Sequence, residues 1–74
     1  MEIIAEILFA CNKQKAKTNI MYETNLNYAQ LKTHLTFLAA QDMLSVTSGK
    51  YTTAEKGNRF LELFMDLQDF LAIE

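Results

Sequence analysis

Cys11 and His34 carry the side chains best suited to nucleophilic or metal-centred chemistry, and each residue type occurs once in the 74-residue chain. A single cysteine cannot form an internal disulfide or share a zinc ion with a second cysteine. His34 has no Cys or His at metal-ligand spacing, so we expect both residues to pack in or beside the core. No nucleophile–base pair, carboxylate pair or phosphate-binding glycine loop is visible. The sequence therefore predicts a protein that is not an enzyme and that uses no metal or cofactor.

Charge is distributed unevenly along the chain. All seven Lys and Arg residues lie within residues 1–61 beside five acids, whereas residues 62–74 hold four acids and no base. The formal net charge of −2 therefore belongs to the C-terminal end, and the rest of the chain is mildly basic. The distribution matters more than the sum, so the overall acidity does not by itself exclude a polyanionic partner.

A chain of 74 residues has room for one domain with a small core. Its longest unbroken apolar run, Ile7 to Cys11, is too short to span a bilayer. Glu2 and Glu6 lie where a secretory signal would be basic and then apolar. We therefore predict a single domain over residues 1–74, located in the cytoplasm and without a membrane partner.

The stretch 18–43 has the pattern of a short helix that turns directly into a longer one, as in a helix-turn-helix. Residues 2–12 form an amphipathic first helix, and residues 13–18 form a polar loop that carries three lysines. We predict the second helix at residues 19–23 with Thr18 as its N-cap. Thr24 and Asn25 then break the helical pattern.

The third helix is predicted over residues 28–43, with Asn27 as its N-cap. Its inner stripe, taken at about 100° per residue, consists of Leu31, Leu35, Leu38 and Asp42. Its outer face consists of Ala29, Lys32, Thr33, Thr36 and Ala40. That face has no acidic residue, whereas an ordinary solvated helix face usually carries several.

After residue 43 the period changes from helical to alternating. Leu44, Val46 and Tyr51 alternate with polar residues around a Ser48-Gly49 turn, which predicts a two-stranded hairpin, or wing. Lys50 is expected at the tip of the wing or just past it.

The last helix is predicted to begin after Thr53 as N-cap and to continue to the C-terminus. Gly57 should weaken its first turns by about 1 kcal/mol relative to alanine. Its apolar stripe consists of Phe60, Leu63, Phe64, Leu67, Phe70 and Leu71, and the surface is widened by Leu61, Met65 and Ile73. A single small domain cannot easily cover this surface. We therefore expect residues 53–74 to pair with a second copy in a homodimer, the alternative being that the helix folds back across the first helix.

Two segments resemble a known family. The run TNIMYETNLNYAQLKTHLTFL, followed by a hairpin and GKYTTAEKG, is similar to the small archaeal winged-helix regulators and the related archaeal ten-kilodalton chromatin proteins. The resemblance covers nearly the whole chain. It implies a mainly helical winged helix-turn-helix with a small β-hairpin, a core and wing over residues 1–52 and a C-terminal dimerisation helix. It also implies double-stranded DNA as the partner and an association with the nucleoid.

In such a fold the third helix enters the major groove. The residues at its start that would meet base edges and phosphates are Asn27, Tyr28 and Gln30, and those that follow along the outer face are Lys32, Thr33 and Thr36. Gln30 could offer an adenine edge both a donor and an acceptor. The residues better suited to phosphates are Lys15, Lys17, Thr18 at the start of the second helix, and Lys50 on the wing.

Several functions remain open on these residues. The leading hypothesis is a dimeric, sequence-specific transcriptional regulator. A winged helix used as a protein–protein assembly module, and a chromatin protein that binds DNA without sequence preference, are the alternatives. Tyr28 could also pack against the second helix, and the other polar residues could form a solvated face.

Overall fold

Four helices and three short strands make up the part of the chain that the structure describes, residues 2–72 of a computed structural model. In order, they are α1 (Glu2–Ala10), β1 (Lys15–Ala16), α2 (Lys17–Thr24), α3 (Tyr28–Ala40), β2 (Leu44–Thr47), β3 (Lys50–Thr53) and α4 (Glu55–Ala72). The predicted order of helices and hairpin is confirmed. Ile73, which the sequence placed in the last helix, lies outside the described residues.

The core is formed by the faces that helical periodicity predicted. Its buried members are Ile7, Leu8 and Cys11 at the N-terminal end, Ile20 from α2, Leu31, Leu35 and Leu38 from α3, and Leu44 from β2. Leu26, in the turn between α2 and α3, packs against this cluster. Asn25 ends α2 in a left-handed conformation with a φ of 60°, and its N–H bonds to the Met21 carbonyl, so the predicted break is confirmed.

The third helix ends earlier than its apolar pattern predicted, at Ala40. Asp42 adopts a φ of 61°. Its N–H bonds to the Ala39 carbonyl, and the Met43 N–H reaches back to the Leu38 carbonyl. This pair of bonds is the Schellman arrangement, which satisfies the last carbonyls of a helix. Placing Asp42 in the inner stripe was therefore wrong, since its side chain is exposed.

The predicted loop at residues 13–18 contains a strand. β1 adds to the outer side of β3 in a sheet of order β1-β3-β2, with Lys15 opposite Tyr51 and Ala16 opposite Lys50. α2 begins immediately after this strand, with Ala16 in the N-cap position and no side-chain cap. Thr18 therefore lies inside the first turn of α2, and its predicted role as N-cap was wrong. The first helix also ends at Ala10, two residues earlier than predicted.

The wing turns at Ser48 and Gly49, as predicted. Both residues have positive φ angles, 52° for Ser48 and 75° for Gly49. Two consecutive left-handed residues make a type I′ turn, which matches the twist of a hairpin. Val46 then pairs with Tyr51 and Thr47 with Lys50, so Lys50 is the first residue after the tip.

Thr53 joins the wing to the first helix and does not cap α4. Its hydroxyl donates a hydrogen bond to the Leu8 carbonyl, and its backbone N–H donates to the Cys11 carbonyl. α4 begins two residues later, and Gly57 in its first turn is buried. A Cβ on Gly57 would lie 2.5 Å from the Met43 carbonyl oxygen. The glycine therefore permits close packing of α4 against the end of α3.

The distal half of α4 projects from the domain. Phe60, Leu61 and Phe64 are half-buried against the core side, whereas every residue from Met65 to Ala72 is exposed. The molecule accordingly measures 43 × 24 × 19 Å. The alternative in which this helix folds back and covers its whole apolar surface is wrong for the described chain. No helix within residues 2–72 is both long and apolar enough to cross a membrane.

Candidate nucleic-acid interface

Asn27 and Gln30 set the start of α3 through a reciprocal capping box. The Asn27 side chain accepts a hydrogen bond from the Gln30 backbone N–H at 2.8 Å, and Gln30 Oε1 accepts from the Asn27 N–H at 3.3 Å. The predicted N-cap is confirmed. Both side chains are exposed at the tip of the helix, but the acceptor oxygen of Gln30 is used within the protein. A bidentate contact from Gln30 to adenine would have to break the weaker of these two bonds.

Tyr28, Lys32 and Thr36 form one exposed row along α3, because residues four apart lie on the same face of a helix. At the N-terminal end of this row the ammonium of Lys17 lies 5.4 Å from the centre of the Tyr28 ring. This cation–π contact holds the start of α2 against the start of α3 and orients Tyr28. The structure thus places Lys17 at one end of the row formed by Tyr28, Lys32 and Thr36.

The third strand places the wing next to the start of α2. Lys50 pairs with Ala16, the residue that precedes Lys17. Neighbouring strands lie about 4.8 Å apart, so the backbones that carry Lys17 and Lys50 are close. The α3 helix contains no Asp or Glu. Lys50 on the wing is therefore a neighbour of Lys17, and Lys17 in turn lies beside Tyr28 at the start of the acid-free helix α3.

Lys15 is used inside the protein. Its Nζ donates to the Ala10 carbonyl at 2.7 Å and lies 3.1 Å from a carboxylate oxygen of Glu23. The first of these bonds satisfies a carbonyl at the end of α1, as basic side chains near helix C-termini often do. A phosphate contact by Lys15, as the sequence suggested, would compete with both partners.

Thr33 and Phe37 lie on the other flank of α3. The Thr33 hydroxyl donates to the Ala29 carbonyl at 3.1 Å. Phe37 is 49% exposed, although sequence reasoning did not single it out. The signal was present, because Phe37 lies about 120° from Leu31 around the helix and so cannot belong to the core stripe.

Thr18 is exposed and lines a shallow groove on α2 with Met21, Tyr22, Asn25 and Leu26. Its position is therefore on the surface next to Lys17. Thr18 belongs to the first turn of α2. The first backbone N–H groups of this helix lack intrahelical partners, as at every helix start.

Cys11 and His34 occupy the places expected from the sequence. Cys11 is fully buried, and burial raises the pKa of its thiol from 9.0 to about 11; the charge of Lys15 lowers this pKa by a smaller amount, and the charge of Glu23 adds to the increase. His34 is half-buried at the edge of the core. Within the described part of the chain, no three His, Cys, Asp or Glu side chains are grouped so that they could hold a metal ion.

The predicted dimer residues share an apolar surface on α4. The Phe60 and Phe64 rings stack with centroids 6.2 Å apart and an angle of 12° between their planes. The other four side chains of this surface are more exposed: 64% for Leu63, 55% for Leu67, 72% for Phe70 and 63% for Leu71. This set, Phe60, Leu63, Phe64, Leu67, Phe70 and Leu71, is called the α4 apolar stripe below.

Two helices joined by a tight turn, a preceding helix that closes the core, and a hairpin after the second of them define the winged helix-turn-helix class of protein. A family model described as winged helix-turn-helix matches residues 1–72, and the chain belongs to that family. The predicted fold class is thereby confirmed.

Two similar proteins come from archaea. Sso10a-2, a DNA-binding protein from Sulfolobus solfataricus, has a similar crystal structure, with a TM-score of 0.74 and 25% sequence identity over 95% of this chain and 81% of its own. An uncharacterised protein of Methanocaldococcus jannaschii is 39% identical over 61 residues. That match covers 81% of this chain but only 29% of the relative. The predicted resemblance to archaeal winged-helix proteins is confirmed.

Proposed function

We propose that this protein is a dimeric winged-helix DNA-binding protein that regulates transcription, with α3 in the major groove. The observation that carries the proposal is the cluster of Lys17, Tyr28 and Lys32 on and beside an α3 helix without acidic residues. The fold agrees with it, as does similarity to a protein described as DNA-binding. The protein would act in the cytoplasm, at the nucleoid.

The contacts divide into two groups by their chemistry. Lys17, Lys50 and the first N–H groups of α2 near Thr18 bind phosphates, which position the protein without specifying sequence. Lys32, Thr33 and Thr36 face the floor of the groove from α3, with Asn27, Tyr28 and Gln30 at its entrance. Because its ammonium already has two protein partners, Lys15 supports the end of α1 and is left out of the phosphate contacts.

The α4 apolar stripe is the proposed dimer interface. Leu63, Leu67, Phe70 and Leu71 are each more than half exposed. A soluble monomer rarely leaves several such side chains adjacent on one helix. Two-fold pairing of identical surfaces is the commonest way to cover them. Each copy then presents one α3 helix to the DNA.

The charges along α4 favour an antiparallel pair. Lys56 and Arg59 outnumber Glu55 near its start, whereas Asp66 and Asp69 lie in its distal half without a basic residue. In an antiparallel pair the acidic half of one helix lies beside the basic start of the other, while a parallel pair sets acid against acid. Asp69→Lys therefore has opposite effects in the two cases. It weakens an antiparallel dimer and strengthens a parallel one, as measured by sedimentation equilibrium.

Fluorescence anisotropy with labelled duplex DNA tests the binding proposal. Binding should weaken steeply with salt, because each neutralised phosphate releases counterions. Lys17→Ala, Lys32→Ala and Lys50→Ala should each weaken binding, and loss of a phosphate contact should lower the slope of log K against log salt by about 1. Lys13→Ala is the matched control, since Lys13 is an exposed lysine that neither the proposed DNA contacts nor the proposed dimer interface uses. Absence of a salt-sensitive shift at low ionic strength would refute the proposal.

A comparison of duplexes separates regulation from chromatin coating. At one salt concentration, a regulator should bind a selected duplex much more tightly than random duplexes, by about 10³-fold or more. A chromatin protein would bind both equally. An assembly module would instead retain its protein partner through α4 after Lys32 and Lys50 are neutralised.

A further inference from the structure

Phe37 lies in a row of exposed side chains on one flank of α3, and of this row the proposed contacts use Thr33 alone. Thr33 and Ala29 precede it by one and two turns of α3, and all three are exposed. Residues at this spacing are neighbours on one helix face. The row Ala29–Thr33–Phe37, called the apolar row below, extends about 12 Å along the helix axis.

The exposed groups of the apolar row are mainly apolar. The Thr33 hydroxyl is turned to the helix backbone by its bond to the Ala29 carbonyl, so the outward group is the methyl. Phe37 contributes a half-exposed ring. The neighbouring Gln30 holds its carbonyl oxygen in the capping box. Few side-chain hydrogen-bonding groups are therefore available to base edges on this flank.

We infer that the apolar row contacts the 5-methyl groups of thymine in the major groove, and that the protein prefers thymine-containing sites for this reason. The inference rests on the proposed function. Among the groups on major-groove base edges the thymine methyl is the apolar one, and Ala, the Thr methyl and Phe are the side chains that contact it. A row of about 12 Å reaches three or four base pairs at about 3.4 Å each.

The surroundings of the row favour DNA over a protein partner. Lys32 lies on the same helix, and the ammonium of Lys17 lies over Tyr28 at its start, so the row is set beside positive charge. No acidic side chain on α3 repels phosphates. The lysines supply attraction to the backbone, and the apolar row supplies the discrimination between bases.

Replacement of thymine by deoxyuridine isolates the methyl group. A preferred duplex is first selected from random duplexes, and the same duplex is then made with deoxyuridine at every thymine. Charge and hydrogen-bonding edges are unchanged. At fixed salt we expect the affinity to fall about fourfold for each methyl that is contacted and buried.

Protein variants assign this effect to the row. Phe37→Ala should lower affinity for the thymine duplex and bring the thymine-to-uracil affinity ratio closer to one. Thr33→Ser, which removes the methyl, should also reduce the ratio, whereas Thr33→Val should keep it. Phe9→Ala is the control, because Phe9 is an exposed phenylalanine in a groove between α1 and α4. The thymine-to-uracil affinity ratio of the Phe9→Ala variant should equal that of the unmodified protein.

The outcomes distinguish this inference from the proposed function. Salt-sensitive binding with a thymine-to-uracil ratio of one overturns the inference and leaves DNA binding intact. A reduced affinity for the uracil duplex that Phe37→Ala and Thr33→Ser leave unchanged also overturns it. Absence of duplex binding at low salt overturns both. Circular dichroism verifies that the variants are folded, which is expected because both substituted residues are exposed.

Discussion

Replacement of Gly57 by alanine should destabilise the protein, opposite to the usual effect in a helix. At an unconstrained helical position Gly→Ala gains about 1 kcal/mol. Here the new Cβ would lie 2.5 Å from the Met43 carbonyl oxygen and 2.8 Å from the Thr53 Cγ2 atom. To restore a carbon–oxygen distance of about 3.3 Å, the two backbones must separate by roughly 0.8 Å.

Two structural features prevent an easy adjustment. The Met43 carbonyl accepts a hydrogen bond from the Ala54 N–H at 2.9 Å, and the Thr53 side chain is held by its bond to Leu8. Overpacking costs about 1–3 kcal/mol and a weakened hydrogen bond about 1 kcal/mol. After the gain in helix propensity, we expect Gly57→Ala to lower the free energy of unfolding by about 1–3 kcal/mol.

Urea unfolding followed by circular dichroism measures this change, with all proteins at one concentration because dimerisation would add to stability. Asn58→Ala is the control, since Asn58 is the next residue of the same helix and is exposed. It should stabilise by about 0.5 kcal/mol through propensity alone. If the Gly57→Ala protein is as stable as the control, α4 does not approach Met43 as closely as described, and the reasoning is refuted.

Three further changes test single groups. Asn27→Ala should cost about 1 kcal/mol by removing the N-cap of α3, whereas Asn27→Asp should keep the stability and weaken DNA binding by adding negative charge. Thr53→Val should cost about 1–2 kcal/mol because the buried Leu8 carbonyl loses a donor, and Thr53→Ser should restore most of it. Cys11 should resist thiol reagents in the native protein at pH 8 and react in urea, since its pKa is raised to about 11 in the fold. Because the folded state retains this proton while the unfolded state loses it, stability should fall as the pH rises from 9 to about 11, and Cys11→Ala should remove that part of the decline.

Local patterns in the sequence were sufficient for much of the fold. The outer face of α3 follows from the spacing of Leu31, Leu35 and Leu38, and its start follows from the cap at Asn27. The Ser48-Gly49 turn is likewise a local signal, because two residues that tolerate positive φ separate two alternating runs.

The features that sequence reasoning missed depend on distant partners. β1 has two residues and no alternation, and it exists because its backbone pairs with Lys50 and Tyr51. Thr53 looked like a helix cap, but its partner is Leu8, 45 residues earlier in the chain. Lys15 was predicted to contact phosphate, but in the fold its ammonium binds the Ala10 carbonyl and the Glu23 carboxylate. A single sequence does not show which of several polar partners a side chain will meet.

The candidate nucleic-acid interface was also predictable only in part. The exposed lysines and threonines of α3 were predictable from periodicity, whereas the contact of Lys17 with Tyr28 depends on how α2 crosses α3. The use of Gln30 in the capping box has a sequence signal, its spacing of three residues from Asn27, and this use competes with base recognition.

The link between Thr53 and the end of α1 also bears on how the chain folds. Both of its hydrogen bonds join residues more than 40 positions apart, at Leu8 and at Cys11. Contacts of such high sequence separation are slow to form, because a long loop must close before they contribute. We therefore expect the attachment of the first helix to the wing to form late in folding. Because these two bonds tie the end of α1 to the end of β3, we expect the N-terminal helix and the wing to open together as one cooperative unit.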